Sequence, residues 1–359
     1  MLNLRQLLEE MPTRRASDLH LTAGVPPEFR IDGSLVPAEG LEPMTPETTT
    51  QLAYSVMSDE QRKKFEITHE LDFSFGIKNL ARFRSNVFLQ RGVVAMAIRQ
   101  IPHEILALEK LGLPPIVRDF TNRKHGLVLV TGPTGSGKST TLASMVDRIN
   151  QSRPCHIMTI EDPIEYVHHH RKSIVNQREV GADTASFVAA LKYVLRQDPD
   201  IILIGEMRDV ETIEAAVTIA ETGHLVFATL HTNSAYEAVN RIVDVFPSDR
   251  RQQILTQLAF TLEGVVAQQL IPRSKGTGRV MVAEVLVCTP AIKAVIREGK
   301  THQIYSLMQA GQKFGSQTMN QALMTAVLDK ALSPDDAMAF SSDRLELEGM
   351  LGKVLRAAA

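Results

Sequence analysis

The 359-residue sequence predicts an α/β protein of two domains, on three observations. From about residue 115 onward, short apolar runs alternate with helical segments, which is typical of a largely parallel sheet. A glycine-rich loop follows one of these runs and leads into a helix. The length is about that of two average domains. We therefore expect an α+β domain over residues 1–100, a linker over 101–114 and an α/β domain with a helical C-terminal part over 115–359.

The N-terminal domain is predicted from its alternating patterns. Residues 1–10 form an amphipathic helix, and residues 29–36 alternate around Asp32-Gly33, which is a strong hairpin signal. Strands are also predicted around 71–75, at 81–89 and at 93–98. Prolines at 102, 114 and 115 bracket the linker, because proline disfavours helix at the residue before it.

The second domain is predicted to contain four buried strands, at 127–130, 157–160, 201–204 and 225–230. One helix is expected from about Thr184. Another is expected over 210–222, with Asp209 as its N-cap and Gly223 just beyond its end. The last hundred residues are predicted to be mostly helical.

Residues 132–139 read Gly-Pro-Thr-Gly-Ser-Gly-Lys-Ser, a complete P-loop. Its glycines allow successive N–H groups to point to one place, and the following helix adds its positive N-terminal end. Lys138 can reach the β- and γ-phosphates, and the Ser139 hydroxyl can ligate Mg2+. We therefore expect a nucleoside triphosphate and Mg2+ to bind here. The assigned nucleotide-binding residues are Gly132, Pro133, Thr134, Gly135, Ser136, Gly137, Lys138, Ser139 and Thr140.

Polar residues follow each of the other three predicted core strands, at 161–165, 205–209 and 231–233. Ligands of open α/β sheets gather at the carboxyl ends of parallel strands. Glu206 suits metal binding or activation of the attacking water, and Glu161 is the other candidate base. The choice between them as base stays open. His231 could sense the γ-phosphate by hydrogen bonding.

Composition excludes several classes of protein. No apolar run approaches the ~18 residues of a membrane span, and no signal-peptide pattern is found, so we expect a cytoplasmic protein. Two cysteines exclude a disulfide framework and a four-cysteine zinc site within one chain. A net charge of −2 gives no sign of a dedicated nucleic-acid binder.

Three further patterns have alternative interpretations. Arg82 and Arg84 share one face of a predicted strand; in a multisubunit ATPase they could act as arginine fingers, although a charged sheet face is the commoner explanation. Residues 168–170, all histidine, are interpreted as a solvated loop rather than a metal cluster. Residues 290–298 read as a surface helix that Thr289 caps and Gly299 ends.

Four motifs in order resemble those of the secretion ATPases of type IV pilus and type II secretion systems. Residues 17–21 and 30–33 extend the resemblance through the N-terminal domain. The four motifs are a Walker A at 132–141, an Asp box at 159–166, a Walker B at 201–209 and a His box at 222–235.

Within that family the chain is most similar to the ATPases that retract type IV pili. Residues 291–298 resemble their Ala-Ile-Arg-Asn-Leu-Ile-Arg-Glu motif and depart from it at 293–295. The resemblance implies a PAS-like N-terminal domain, a RecA-like ATPase domain, hydrolysis of ATP with Mg2+ and a homohexameric ring. It also implies that Arg82 and Arg84 act as arginine fingers between subunits. It also implies an inner-membrane pilus platform protein and the pilus machinery as partners, and a cytoplasmic location peripheral to the inner membrane.

Two alternatives remain open. The first is an accessory retraction ATPase, or a motor for pilus assembly or type II secretion; the assembly and secretion ATPases usually carry a tetracysteine zinc module, which this sequence lacks. The second is a RecA-like nucleic-acid translocase. Against the second, aromatic residues make up 5% of the chain, tryptophan is missing, and no basic–aromatic binding pattern is found.

Overall fold

The computed structural model describes residues 3–31, 33–77, 80–101, 104–275 and 277–358, with the backbone alone over 353–358. Asp32 of the predicted hairpin and Pro102 of the predicted linker lie outside these ranges. The chain forms two compact units. Unit 1 comprises residues 1–104 with 165–167, and unit 2 comprises 105–164 with 168–359.

Over its described residues, unit 1 contains a six-stranded antiparallel sheet in the order β3-β2-β1-β6-β5-β4 and three helices. The predicted hairpin is confirmed in its strands, because β2 and β3 pair antiparallel. The elements are α1 (Leu4–Arg14), β1 (Ala16–Leu21), β2 (Glu28–Ile31), β3 (Ser34–Pro37), α2 (Pro46–Tyr54), α3 (Asp59–Thr68), β4 (Glu70–Ile77), β5 (Ala81–Gln90) and β6 (Val93–Ile101).

The two faces of this sheet differ in character. One face packs into a core with α1, where Leu8, Phe29 and Phe83 are fully buried. The opposite face carries a row of cross-strand neighbours that is largely charged. From β2 to β4 this row reads Arg30, Asp18, Arg99, Arg84 and Ser74.

Unit 2 is built on a seven-stranded sheet in the order β13-β12-β7-β11-β10-β8-β9, in which only β13 runs antiparallel to its neighbour. Its strands are β7 (Gly126–Thr131), β8 (His156–Glu161), β9 (Ile174–Glu179), β10 (Ile201–Ile204), β11 (Leu225–Leu230), β12 (Leu262–Pro272) and β13 (Arg279–Val287). Its helices are α4 (Ile116–Phe120), α5 (Lys138–Ser152), α6 (Phe187–Val194), α7 (Val210–Glu221), α8 (Ala235–Asp244), α9 (Arg251–Thr261), α10 (Pro290–Arg297), α11 (Ile304–Ala310), α12 (Met319–Leu328), α13 (Pro334–Phe340) and α14 (Arg344–Ala358).

The sheet of unit 2 is buried on both faces, as its uninterrupted apolar strands require. Leu127 and Leu129 of β7 face one core, which includes side chains from α6 to α11. Val128 and Val130 face the other core, with side chains from α4 and α5. The α/β class of the second domain and its four predicted strands are confirmed.

Three strands of unit 2 were not predicted, and neither was β1 of unit 1. The prediction that the last hundred residues are mostly helical is wrong for 262–287, where β12 and β13 form a long antiparallel pair. Helices do follow, from Pro290 to Ala358. The run Leu262–Pro272 is apolar without clear alternation, and such a run does not distinguish a buried strand from a buried helix. The edge strand β9 has a weak apolar pattern.

The stretch predicted as a linker is partly structured. β6 ends at Ile101, and a short 3-10 helix, Leu108–Lys110, places Leu108 in a core of unit 2. The Ser144 hydroxyl of α5 donates to the Leu106 carbonyl at 2.7 Å. Within the described ranges, no helix combines the length and hydrophobicity that crossing a membrane requires.

Candidate functional site

The P-loop joins the end of β7 to the start of α5, as predicted. At Gly132 (φ 139°) an added Cβ would lie 2.3 Å from the Gln268 carbonyl oxygen, so a larger residue has no room there. Gly137 is the N-cap of α5 and is left-handed, with φ 90°. These two positions make the loop follow the strand closely and then turn sharply into the helix.

The Lys138 ammonium lies against the start of the loop. It donates to the carbonyl oxygens of Gly132 at 2.8 Å and Pro133 at 3.1 Å. Burial lowers the pKa of Lys138, and the negative charge of Glu206 acts in the opposite direction. Glu206 follows β10, which lies two strands from β7 in the sheet.

The remaining loop residues differ in their access to solvent. Ser139, in the first turn of α5, is exposed and Thr140 is half-buried. Pro133, Thr134 and Gly135 are exposed, and Ser136 is buried. The hydroxyl that was expected to ligate Mg2+ is therefore accessible.

The side chain of Gln268 in β12 is hydrogen-bonded to the P-loop and to α5, and the sequence analysis did not identify this residue. Its side-chain Nε2 donates to the Ser136 carbonyl at 2.8 Å, and its Oε1 accepts from the Thr141 hydroxyl at 3.0 Å. The residue is 1% exposed. A polar residue within an apolar strand is a signal for such a role, but β12 was not predicted as a strand.

The predicted acidic and histidine residues lie along one edge of the sheet. Across the neighbouring strands β7, β11, β10 and β8, the carboxyl ends lead into the P-loop, His231, Glu206 and Glu161 in that order. All four strands are parallel, so these segments emerge on the same edge.

Glu206 is paired with both Arg208 and His231. Its Oε1 lies 2.6 Å from Arg208 Nε and 3.1 Å from His231 Nε2, and Arg208 Nη2 donates to its Oε2 at 2.7 Å. Burial acts to raise the pKa of Glu206, but the hydrogen bonds and charges of Arg208 and His231 outweigh it and lower that pKa. The carboxyl is therefore an anion at neutral pH, which suits a metal ligand.

Glu161 ends β8, one strand further from the P-loop. Its Oε1 accepts from the Thr159 hydroxyl at 2.6 Å and from the Gln177 amide at 3.2 Å. This carboxylate is thus oriented by its own strand and by β9.

Arg82 and Arg84 lie in unit 1, on β5, and point away from the core of that unit. Arg84 is exposed, and its cross-strand neighbours are Ser74 and Arg99. Arg99 in turn pairs with Asp18 at 2.8 Å. The shared face expected from their spacing is confirmed.

Two of the alternative interpretations are refined. The solvated loop is wrong for His168, which is 9% exposed and whose pKa is lowered to about 4, chiefly by burial. In α10, capped by Thr289 as predicted, Ile292 and Ile296 are buried and Arg297 is exposed. Lys293 instead forms a half-buried ion pair with Glu263 of β12 at 2.8 Å.

Residues 2–336 match the family described as type II/IV secretion system protein. The chain belongs to this family.

Individual secretion-family proteins are similar along almost their whole length. The type IV pilus retractation ATPase PilT of Pseudomonas aeruginosa is 47% identical over 94% of this chain and 97% of its own. The type IV pilus ATPase PilU of the same organism is 43% identical over 98% and 91%. A crystal structure of the pilus retraction motor PilT with bound ADP superposes with a TM-score of 0.92, at 53% identity, covering 97% and 99% of the two chains.

Proposed function

We propose that this secretion-family protein is an ATPase motor that powers retraction of type IV pili and hence twitching motility. The observation that carries the proposal is the line of P-loop, His231, Glu206 and Glu161 along one sheet edge, in a chain similar to PilT over 94% of its length. The edge supports the chemistry, and the likeness to PilT supports the biological process.

The P-loop residues 132–140 would hold the phosphates of ATP through their N–H groups, the N-terminal end of α5 and the Lys138 ammonium. Ser139 and Glu206 offer an exposed hydroxyl and an anionic carboxylate, the oxygen donors that Mg2+ prefers. These residues therefore fit Mg2+ chemically. The ion, when bound, neutralises charge that develops on the phosphates.

Either glutamate could orient the attacking water. Glu206 has the stronger support, because β10 lies one strand nearer than β8 to β7, the strand that leads into the P-loop. His231, the residue that follows β11, is hydrogen-bonded to Glu206 and would sense the γ-phosphate by hydrogen bonding. Glu161 remains the second candidate for the base.

The wider proposal follows from the family. Unit 1 would be the PAS-like domain and unit 2 the RecA-like domain, divided near the linker 101–114. Six chains would form a ring in which Arg82 and Arg84 reach a neighbour's nucleotide. The ring would be cytoplasmic, peripheral to the inner membrane, and would act on an inner-membrane platform protein and the pilus machinery, without direct nucleic-acid contact.

The chemistry is tested with Lys138→Ala and Glu206→Gln, alongside Glu161→Gln. We expect Lys138→Ala to weaken nucleotide binding and hydrolysis together, because it removes a cation from the phosphate cradle. Glu206→Gln keeps the side-chain shape, so binding should persist while hydrolysis falls by orders of magnitude. Near-normal steady-state turnover in Glu206→Gln, with loss in Glu161→Gln, would transfer the role to Glu161.

The biological process is tested by deleting the gene and scoring surface pili and twitching. Many pili without motility would support retraction, whereas cells without pili would support the assembly alternative. The 43% identity to PilU also supports an accessory motor as second candidate. A main motor restores twitching in cells that lack every other family member, and an accessory motor restores it only when a PilT-like relative is present.

A further inference from the structure

Glu284, in the middle of β13, is a buried carboxylate that binds two helix N-termini. One oxygen accepts the N–H of Ala235 at 2.6 Å, and the other accepts the N–H of Met319 at 3.2 Å. The residue is 2% exposed. Ala235 and Met319 are the first residues of α8 and α12, and the N-terminal end of a helix attracts negative charge.

The contact with α8 bears on the catalytic edge. Only residues 232–234 separate His231 from Ala235, the residue that Glu284 holds. His231 Nε2 lies 3.1 Å from Glu206. A displacement of the first turn of α8 would therefore move one end of this short segment and change where His231 lies against Glu206.

The contact with α12 reaches the C-terminal helices. Met319 packs in a small core with Leu323 of the same helix and Ile271 of β12. A cavity of about 390 Å³ borders Glu284, Met319, Asn233 of the segment before α8, and Pro133 of the P-loop. Beside this space, Glu284 connects α8 and α12 directly through its two hydrogen bonds.

We propose that Glu284 is a positioning residue that couples the His231–Glu206 contact to the placement of the C-terminal helices. Movement of α12 would shift Glu284, Glu284 would shift the start of α8, and the histidine would move relative to the carboxylate. The inference rests on the proposed ATPase function and adds a route by which turnover and C-terminal movement affect one another.

The test is Glu284→Gln, which keeps the size of the side chain but directs an NH2 group at one of two N–H donors. We expect kcat for ATP to fall about tenfold, the effect of about 1.4 kcal/mol at the reacting centre. The dissociation constant for nucleotide should change less than twofold, because Glu284 accepts hydrogen bonds from Ala235 and Met319, which lie outside the P-loop. Because a loss of folded protein also lowers the apparent kcat at unchanged affinity, kcat is expressed per nucleotide-binding site counted in the same titration.

Glu263→Gln is the matched control. Glu263 is a largely buried carboxylate of β12 in the same sheet, and it pairs with Lys293 at 2.8 Å and Arg123 at 3.3 Å, which lie in neither α8 nor α12. We expect a lower Tm and an unchanged kcat. If Glu284→Gln keeps kcat within twofold of the parent, or if Glu263→Gln loses kcat equally, the inference is overturned.

Two further measurements keep the test decisive. If Glu284→Gln does not fold, Glu284→Asp retains the carboxyl group with a shorter reach, and a kcat equal to the parent's would overturn the inference. Amide hydrogen exchange over residues 231–237 does not depend on turnover. It should rise in Glu284→Gln and not in Glu263→Gln. This result is expected even if the parent protein lacks ATPase activity, a finding that would refute the proposed function alone.

Discussion

Gln268→Met tests how much the side-chain hydrogen bonds of Gln268 contribute to nucleotide binding, without changing any residue of the P-loop. Methionine has nearly the length of glutamine, so packing in the buried strand is largely kept while both hydrogen bonds are removed. The bonds lost are those to the Ser136 carbonyl and from the Thr141 hydroxyl, at 2.8 and 3.0 Å. No charge is introduced.

The magnitude follows from what each partner can do afterwards. The Thr141 hydroxyl, inside α5, can turn to a carbonyl one helical turn earlier. The Ser136 carbonyl loses the amide donor of Gln268, and a buried acceptor left without a partner costs about 1–3 kcal/mol. If about 1.4 kcal/mol of this appears as distortion of the loop, ADP binds roughly tenfold more weakly.

The assay is titration of a fluorescent ADP analogue, with thermal unfolding to verify the fold. Gln269→Met is the matched control, because adjacent strand residues point to opposite faces and Gln269 faces the cavity instead. The control should bind within twofold of the parent protein. A folded Gln268→Met protein with parental affinity would refute the idea that this amide shapes the P-loop.

Three further predictions concern the subunit interface, α10 and the histidine loop. Rings mixed from Arg84→Ala and Lys138→Ala chains should have more ATPase activity than rings of either variant alone, since one type of interface would combine an intact arginine with an intact P-loop. No gain at any ratio, with mixing verified, would argue against arginine fingers between subunits. Arg297→Ala, chosen because Arg297 is exposed whereas Lys293 is held by Glu263, should leave hydrolysis intact while cells lose retraction and accumulate pili; normal twitching would make α10 an ordinary surface helix. When the pH is lowered from 6.5 to 4, His168 becomes protonated in the unfolded chain but stays largely neutral in the folded chain, where its pKa is about 4. The free energy of unfolding, measured by denaturant unfolding, should therefore fall by about 3 kcal/mol more than in His168→Gln. Equal pH slopes would contradict this burial.

Local features of this protein could be predicted from the sequence because neighbouring residues determine them. The P-loop needs only its glycines, its lysine and the flanking strand and helix. Asp209 caps α7 by accepting the Thr212 N–H at 2.7 Å, and Thr289 caps α10, both as predicted. Arg82 and Arg84 lie on one face because residues two apart in a strand point to the same side of the sheet.

Only the tertiary structure decided which of these local features meet. The strand order β7-β11-β10-β8 brings His231 against Glu206, and no pattern in the sequence specifies that order. Gln268 lies 132 residues from Ser136 in the chain, and Glu284 lies 49 from Ala235, yet each pair is hydrogen-bonded. Such contacts form because buried polar groups must find partners wherever the packed sheet places them, and that placement depends on the whole of unit 2.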